Sequence, residues 1–168
     1  VLLEPCARNT APAIALAALA VGVPESVMLV MPSDHLITDD PAFHAATEAL
    51  LPQVQEGWLA TYGINPTGPE TGYGYIQMGS AVSAGVQAAQ RFVEKPDAAR
   101  AVAMIESGNY VWNGGIFLFR ADSYLNAVEA DAPEMGAAAR DAMSRAQRNG
   151  NHINPDEASF AACPSDSI

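Results

Sequence analysis

The stretch that most constrains this chain is Val27-Met28-Leu29-Val30-Met31-Pro32-Ser33-Asp34-His35. Its first five residues are unbroken apolar, with valine at two of them, and the run is too short for a buried helix. That pattern predicts a strand covered on both faces, and such strands favour a parallel α/β sheet. Pro32 ends the strand, because proline cannot donate to a sheet ladder. Asp34 and His35 then fall in the loop past the carboxyl end, the edge of an open α/β sheet where ligands bind. A carboxylate there can hold a hard cation such as Mg2+ against phosphate oxygens. The plainer alternative is that Ser33 or Asp34 only closes a turn or caps the next helix.

The chain has 168 residues, of which 49% are apolar. That is enough for one ordinary domain with a real core, and it excludes a disordered chain. No apolar run approaches the roughly 20 residues needed to cross a bilayer, and no basic-then-apolar leader is visible, so no membrane role is expected. The formal charge of −11 argues against nucleic acid as a partner, since phosphate backbones call for a basic surface. A single nucleotide needs only one or two local cations and a metal, so it stays open. Cys6 and Cys163 lie far apart in sequence and match no metal-ligand spacing. A reduced, cytoplasmic setting is the simpler expectation.

Along the chain, Val1-Leu2-Leu3 reads as a strand end, and the alanine- and leucine-rich run after Thr10 predicts a helix. Asn9 or Thr10 supplies its cap, and Pro12 fits its first turn. The helix is apolar nearly all round, which predicts a place against the sheet. Its free N–H groups would face the Glu4–Thr10 loop and could receive an anion or a base edge; a capped core helix is the alternative. A second helix is expected from Ala42 to Gln55, with Asp40 as cap and Pro41 as the first helical residue. His44 on this helix receives no role. Trp58 to Ile64 reads as a strand. The prolines and glycines of Asn65 to Gly72 predict an irregular loop, and Ser80 to Gln90 a mobile turn.

Arg91-Phe92-Val93-Glu94-Lys95-Pro96 predicts a short strand stopped by proline. Successive strand side chains point to opposite faces, so Glu94 and Lys95 need not pair. Asp97 is expected to cap a helix from Ala98 to Ser107 that ends at Gly108-Asn109. Asn113-Gly114 is a turn signal, and the apolar run after it predicts a buried strand. Helices are expected over Ala121 to Asp131, Pro133 to Arg148 and Asp156 to Ala162. There is no internal repeat and no long linker that would mark a second domain.

Taken together, five stretches resemble the sugar-1-phosphate nucleotidyltransferases, in particular the bacterial branch acting on mannose 1-phosphate. They are Glu4-Pro5 with Arg8-Asn9-Thr10-Ala11-Pro12-Ala13-Ile14-Ala15-Leu16-Ala17-Ala18, then Pro32-Ser33-Asp34-His35. Next come Gly63-Ile64 with Pro66 and Pro69-Glu70-Thr71-Gly72-Tyr73-Gly74-Tyr75-Ile76, and Phe92-Val93-Glu94-Lys95-Pro96. The last is Trp112-Asn113 with Gly115, Phe117 and Phe119. Each is weak alone; five in the family's order span almost the whole chain.

The resemblance implies a Rossmann-like three-layer α/β/α fold. It implies transfer of GMP from GTP to mannose 1-phosphate, giving GDP-mannose and pyrophosphate for polysaccharide biosynthesis, with Mg2+ as cofactor. It also implies the site. Asp34 would hold the metal, Lys95 the sugar phosphate, and Glu94 and Asn113 the sugar hydroxyls. Gly74 would bring backbone against the sugar, while Glu4, Asn9 and Thr10 would read the base. The family usually has glycine at the position of Ala7, which matters if that backbone needs positive φ. Its glycine-rich triphosphate loop is expected before Glu4, and a second metal-binding aspartate directly after Ile168. The expectation is therefore part of a single catalytic domain, incomplete at both ends and inactive alone. Its exposed sheet edge would favour association, a homodimer being the simplest form. The alternatives are a sibling using another nucleotide or sugar, and a non-catalytic nucleotide-sugar-binding domain.

Overall fold

The computed structural model describes residues 1–168. In chain order the elements are α1 (Thr10–Val21), β1 (Val27–Val30), α2 (Asp40–Gln55), β2 (Ala60–Ile64), β3 (Tyr75–Ser83), β4 (Val86–Val93) and α3 (Ala98–Ser107). They continue with β5 (Tyr110–Arg120), α4 (Ala121–Asp131), α5 (Pro133–Ser144), β6 (Gln147–Asn149), β7 (His152–Asn154) and α6 (Glu157–Ala161). The expected mixed α/β architecture is what forms. No helix is long and apolar enough to cross a membrane. The chain divides into two compact units. One comprises Val1–Met28, Gly57–Leu59 and Phe119–Ile168; the other comprises Leu29–Glu56 and Ala60–Leu118.

The five-stranded sheet runs β1-β5-β3-β4, with β2 also paired to β5. The pairings β2–β5, β3–β5 and β3–β4 are all antiparallel. The expected parallel character does not hold for them: a tight turn returns β3 into β4, and β5 comes back antiparallel to β2 and β3 after α3. The stretch from Ser80 to Gln90, expected as a mobile turn, belongs to a hairpin closed at Ala84-Gly85, with irregular register along it. Its small and polar residues are exposed on both sides, so they carry no period-2 signal. The strand Val27–Val30 is also less covered than expected: Val27 is 41% and Leu29 43% exposed. It lies at one end of the strand order. An apolar run records how much apolar surface a strand carries, not what covers it.

In the second unit, α2 lays Leu50, Leu51 and Val54 against Tyr62, Ile116 and Leu118. The Phe43 and Tyr62 rings stack at 5.3 Å, and Thr47 Oγ1 lies 2.8 Å from the Tyr62 hydroxyl. A second cluster joins Tyr75 and Val93 to Ala101 and Met104 of α3. As expected, Asp97 caps α3, its Oδ1 accepting from Arg100 N–H at 2.9 Å, and Gly108 ends it. The cap of α2 sits one residue earlier than expected. Asp39 Oδ1, not Asp40, accepts from Ala42 N–H at 3.0 Å.

Strand β5 does not turn at Asn113-Gly114. It runs through, with a register shift in the β2–β5 pairing between Thr61 and Gly63. Gly115 sits at φ +63°, where side-chain-bearing residues are strained, and Asn113 Oδ1 accepts its N–H at 3.1 Å. The local turn chemistry is present, but strands on either side hold it as a bulge in one continuous strand.

In the first unit, α1 packs chiefly on α4 and α5, which absorb the apolar surface expected to face a sheet. Its buried residues include Ile14, Ala15 and Leu16. Helix α5 ends at Ser144, four residues short of the expected Arg148. Asn149-Gly150-Asn151 instead makes the β6–β7 hairpin, with Gly150 at φ +58°. The Asn-Gly signal was there, hidden by the helix-like run before it. Asp156 caps α6, accepting from Ser159 N–H at 2.9 Å and from its hydroxyl at 2.8 Å. Those bonds hold the Asp156 carboxyl below the usual carboxylate range.

Tyr124 stacks on Phe119 at 4.9 Å and donates its hydroxyl to Ala11 O at 2.9 Å. Burial pushes this phenol up to about 12. The raised value means the folded state holds the proton more tightly than the unfolded chain. Its stabilising contribution is complete below about pH 10, the ordinary tyrosine value, and is lost as pH rises toward 12. The midpoint of thermal unfolding is expected to fall between pH 10 and pH 12, and Tyr124→Phe is expected to flatten that fall. Scanning calorimetry on both proteins checks this; parallel pH profiles would refute it.

Candidate active site

The residues expected to meet the sugar converge in the second unit. Glu94 directly follows β4, and Gly74 immediately precedes β3, in the sheet where these strands pair. Asn113 lies on β5, and its N–H donates to Gly74 O at 2.8 Å. A Cβ placed on Gly74 would lie 3.0 Å from Glu94 Oε2 and 3.5 Å from Asn113 Cβ. Gly74 is therefore small because two site side chains stand over its backbone, a reason the sequence did not disclose.

Glu94 and Lys95 do pair, contrary to the alternation argument. Lys95 Nζ lies 3.4 Å from Glu94 Oε1, and the side chains are 65% and 73% exposed. Alternation fails because Lys95 has left the strand: its φ is +36°. A non-glycine residue there is strained, and one preceding proline doubly so, since proline disfavours all but extended backbone before it. The pair is open to solvent, so its own stabilising effect is small, about 0–1 kcal/mol. Its value is positional: a cation and a carboxylate stand free beside Gly74 and Asn113.

Asn113 also lines an open cleft of about 850 Å3, bounded by the loop Asp34 to Asp39, by Tyr62 to Asn65, and by Tyr73, Trp112 and Gly114. Asp34 is on this cleft, in the exposed loop after β1. Tyr73 and Trp112, to which the sequence assigned no role, form its aromatic wall with rings edge to face at 5.0 Å. The Trp112 Nε1 is buried without a partner. Tyr75 donates to Glu70 O at 2.8 Å and so pins the loop ahead of Gly74. A separate hollow of about 310 Å3, lined by Leu50, Ile76 and Gln87 among others, holds none of the expected site residues.

No three histidine, cysteine or acidic side chains converge as a metal cage. Asp34 fits Mg2+ in another mode, in which one or two carboxylates and substrate phosphates share an ion that keeps several waters.

Glu4, Asn9 and Thr10 belong to the first unit. Partial burial raises the Glu4 carboxyl above its ordinary value. Asn9, at φ +68°, caps α1 by accepting Thr10 N–H on Oδ1 at 2.8 Å. Ala11 N–H donates to Asp166 O at 3.1 Å, and Pro12 has no N–H. The start of α1 is therefore less open to an anion than expected: the chain itself takes the donors of Thr10 and Ala11. Thr10 Oγ1 accepts from Ile168 N–H at 3.2 Å. Ala7 is not among the residues at positive φ, so alanine there imposes no backbone penalty.

Residues 1–158 match the nucleotidyl transferase family. A xanthan biosynthesis protein, XanB, of Xanthomonas campestris pv. campestris is 47% identical over 170 residues, covering 100% of this chain and 36% of that protein. A mannose-1-phosphate guanylyltransferase of Escherichia coli (strain K12) is 48% identical over 177 residues, covering 100% of this chain and 37% of that protein. The chain thus spans little more than a third of the length of these relatives. A crystal structure described as mannose-6-phosphate isomerase from Helicobacter pylori superposes with a TM-score of 0.87 at 32% identity, over 99% of this chain and 64% of that one. A family match over residues 1–158, on a shared fold, makes this chain a member of the nucleotidyl transferase family.

Proposed function

We propose that this chain carries the sugar-phosphate end of a site that transfers GMP from GTP to mannose 1-phosphate, within a mannose-1-phosphate guanylyltransferase. The observation that carries the reading is the meeting of Gly74, Glu94, Lys95 and Asn113 at adjoining strands, beside the cleft that holds Asp34. The names of the relatives support the choice of mannose 1-phosphate.

In the reaction a phosphate oxygen of mannose 1-phosphate attacks the α-phosphorus of GTP. The bond from that phosphorus to the bridging oxygen of pyrophosphate breaks, and pyrophosphate leaves with the electron pair. No activated side-chain nucleophile is needed, so the protein's contribution is alignment and charge neutralisation. Lys95 holds the sugar phosphate and offsets its charge. Glu94 and Asn113 take sugar hydroxyls, and the backbone at Gly74 lies against the ring. Glu4 and Asn9 read the base, with Thr10 next to them at the start of α1. Asp34 would hold Mg2+, which would supply positive charge against the phosphate oxygens. We place the reaction in the cytoplasm, with GDP-mannose feeding polysaccharide synthesis as the name of the Xanthomonas relative suggests. We further propose one catalytic domain, a homodimer, and no nucleic acid or membrane partner.

Pyrophosphate release from GTP and mannose 1-phosphate with Mg2+ tests the reading on the full gene product and on the 168-residue chain in parallel. The gene product is expected to turn over and the chain alone to be silent. Asp34→Asn is expected to lower turnover by about 10²–10³-fold, the scale of losing one charged group aimed at the transition state. Binding of GDP-mannose without turnover, insensitive to Asp34→Asn and to Mg2+, would replace the transferase with a binding domain.

Lys95→Gly is expected to act in opposite directions on stability and activity. Glycine accepts φ +36° without strain, so the variant should unfold at higher urea, by about 1 kcal/mol. Its KM for mannose 1-phosphate should rise, because the cation is gone. Urea titration beside steady-state kinetics checks both; a destabilised variant would show that the strain relieved is smaller than the freedom glycine adds to the unfolded chain.

A further inference from the structure

Three contacts tie Arg8 and the start of α1 to the end of α6 and the segment after it, residues more than 150 positions away in sequence. The Arg8 guanidinium donates to Ala161 O. Ala11 N–H donates to Asp166 O at 3.1 Å, and Ile168 N–H donates to Thr10 Oγ1 at 3.2 Å. The segment is itself anchored: Phe160 is fully buried and Cys163 is 3% exposed. Beyond Cys163 it bends where Asp166 Oδ1 accepts Ser167 N–H at 2.8 Å. Between the Arg8 and Ala11 ties sits Asn9 at φ +68°, a backbone state that needs support from both sides to persist. Arg8 Nε is buried and has no partner, so the bond to Ala161 O is carried by Nη2.

Thr10 is the one side chain in this seam that both begins the helix and receives the segment. Its backbone N–H is taken by Asn9 and its hydroxyl oxygen by Ile168. From this we infer that Thr10 is a positioning residue: its hydroxyl clamps the segment Cys163–Ile168 onto the start of α1 and so fixes the loop Glu4–Thr10. For nucleotide binding the inference rests on the function proposed above, in which that loop reads the base. It deepens that reading by giving Thr10 an indirect part: Thr10 sets the loop while Glu4 and Asn9 face the nucleotide.

Amide hydrogen exchange on the ligand-free 168-residue chain tests the clamp without any substrate. Thr10→Val removes the acceptor, and Ile168→Pro removes the donor. Each is expected to speed exchange at Ala11, whose N–H is bonded to Asp166 O, by about tenfold, the scale of one hydrogen bond. The double variant should show no further loss, because both changes break the same bond. Thr10→Ser keeps the hydroxyl and should exchange like the parent. Unchanged exchange in Thr10→Val, or additive losses in the double variant, would overturn the clamp.

The full gene product supplies the second readout. Thr10→Val should raise KM for GTP several-fold, leave kcat and KM for mannose 1-phosphate near the parent values, and be rescued by Thr10→Ser. Lost protection with an unchanged KM for GTP would overturn the positioning role. Absence of turnover in the parent protein would count against the proposed function, and the exchange experiment would still decide the clamp.

Discussion

The site depends on the unbroken ladder of β5. This strand pairs with β2 through Trp112, Asn113, Phe117 and Leu118, and with β3 through Tyr110, Val111 and Trp112. Each ladder bond adds only about 1 kcal/mol net, but a buried donor or acceptor left unpaired costs more. A strand bonded on both edges therefore cannot easily be moved. The bulge at Gly114 and Gly115 is the one place where it yields. There Asn113 turns its amide oxygen onto Gly115 N–H, while its own N–H remains bonded to Gly74 O. Asn113 is thus fixed from both sides before any ligand arrives.

That fixed strand gives meaning to the strain beside it. Lys95 at φ +36° is held between Val93, buried in the α3 cluster, and the buried Pro96. A strained residue between anchored neighbours persists because relieving it would disturb packing worth more than the strain. The result is an exposed cation whose backbone is preset, next to a carboxylate and a close-packed glycine. Preset geometry of this kind is what a reaction driven by alignment and electrostatics requires, since no protein group is consumed and little reorganisation is left for the moment of transfer.

Where local chemistry and tertiary structure agreed, the sequence was legible. Asp97 and Gly108 bracket α3 as their side-chain chemistry demands, and Pro12 fits the first turn of α1. Where they competed, tertiary pairing won. Asn113-Gly114 has the chemistry of a turn but lies in a strand, because β2 and β3 hold both edges. Asn149-Gly150 is a real turn, obscured by the helical run before it. The motifs pointed to Asp34, Gly74, Glu94, Lys95 and Asn113 through resemblance, and four of these do converge. The reasons were not legible: that Glu94 stands over Gly74, that Lys95 leaves the strand in a left-handed turn, that Ile168 occupies the Thr10 hydroxyl. All three depend on where the backbone goes after the motif ends, and a motif does not encode that.

The claim that this chain presents a sugar-phosphate site is tested most directly by titrating mannose 1-phosphate into the 15N-labelled chain and following its amide resonances. The account predicts shifts centred on Gly74, Glu94, Lys95 and Asn113, which Lys95→Ala abolishes. Shifts centred elsewhere, or none at saturating sugar phosphate, would contradict it.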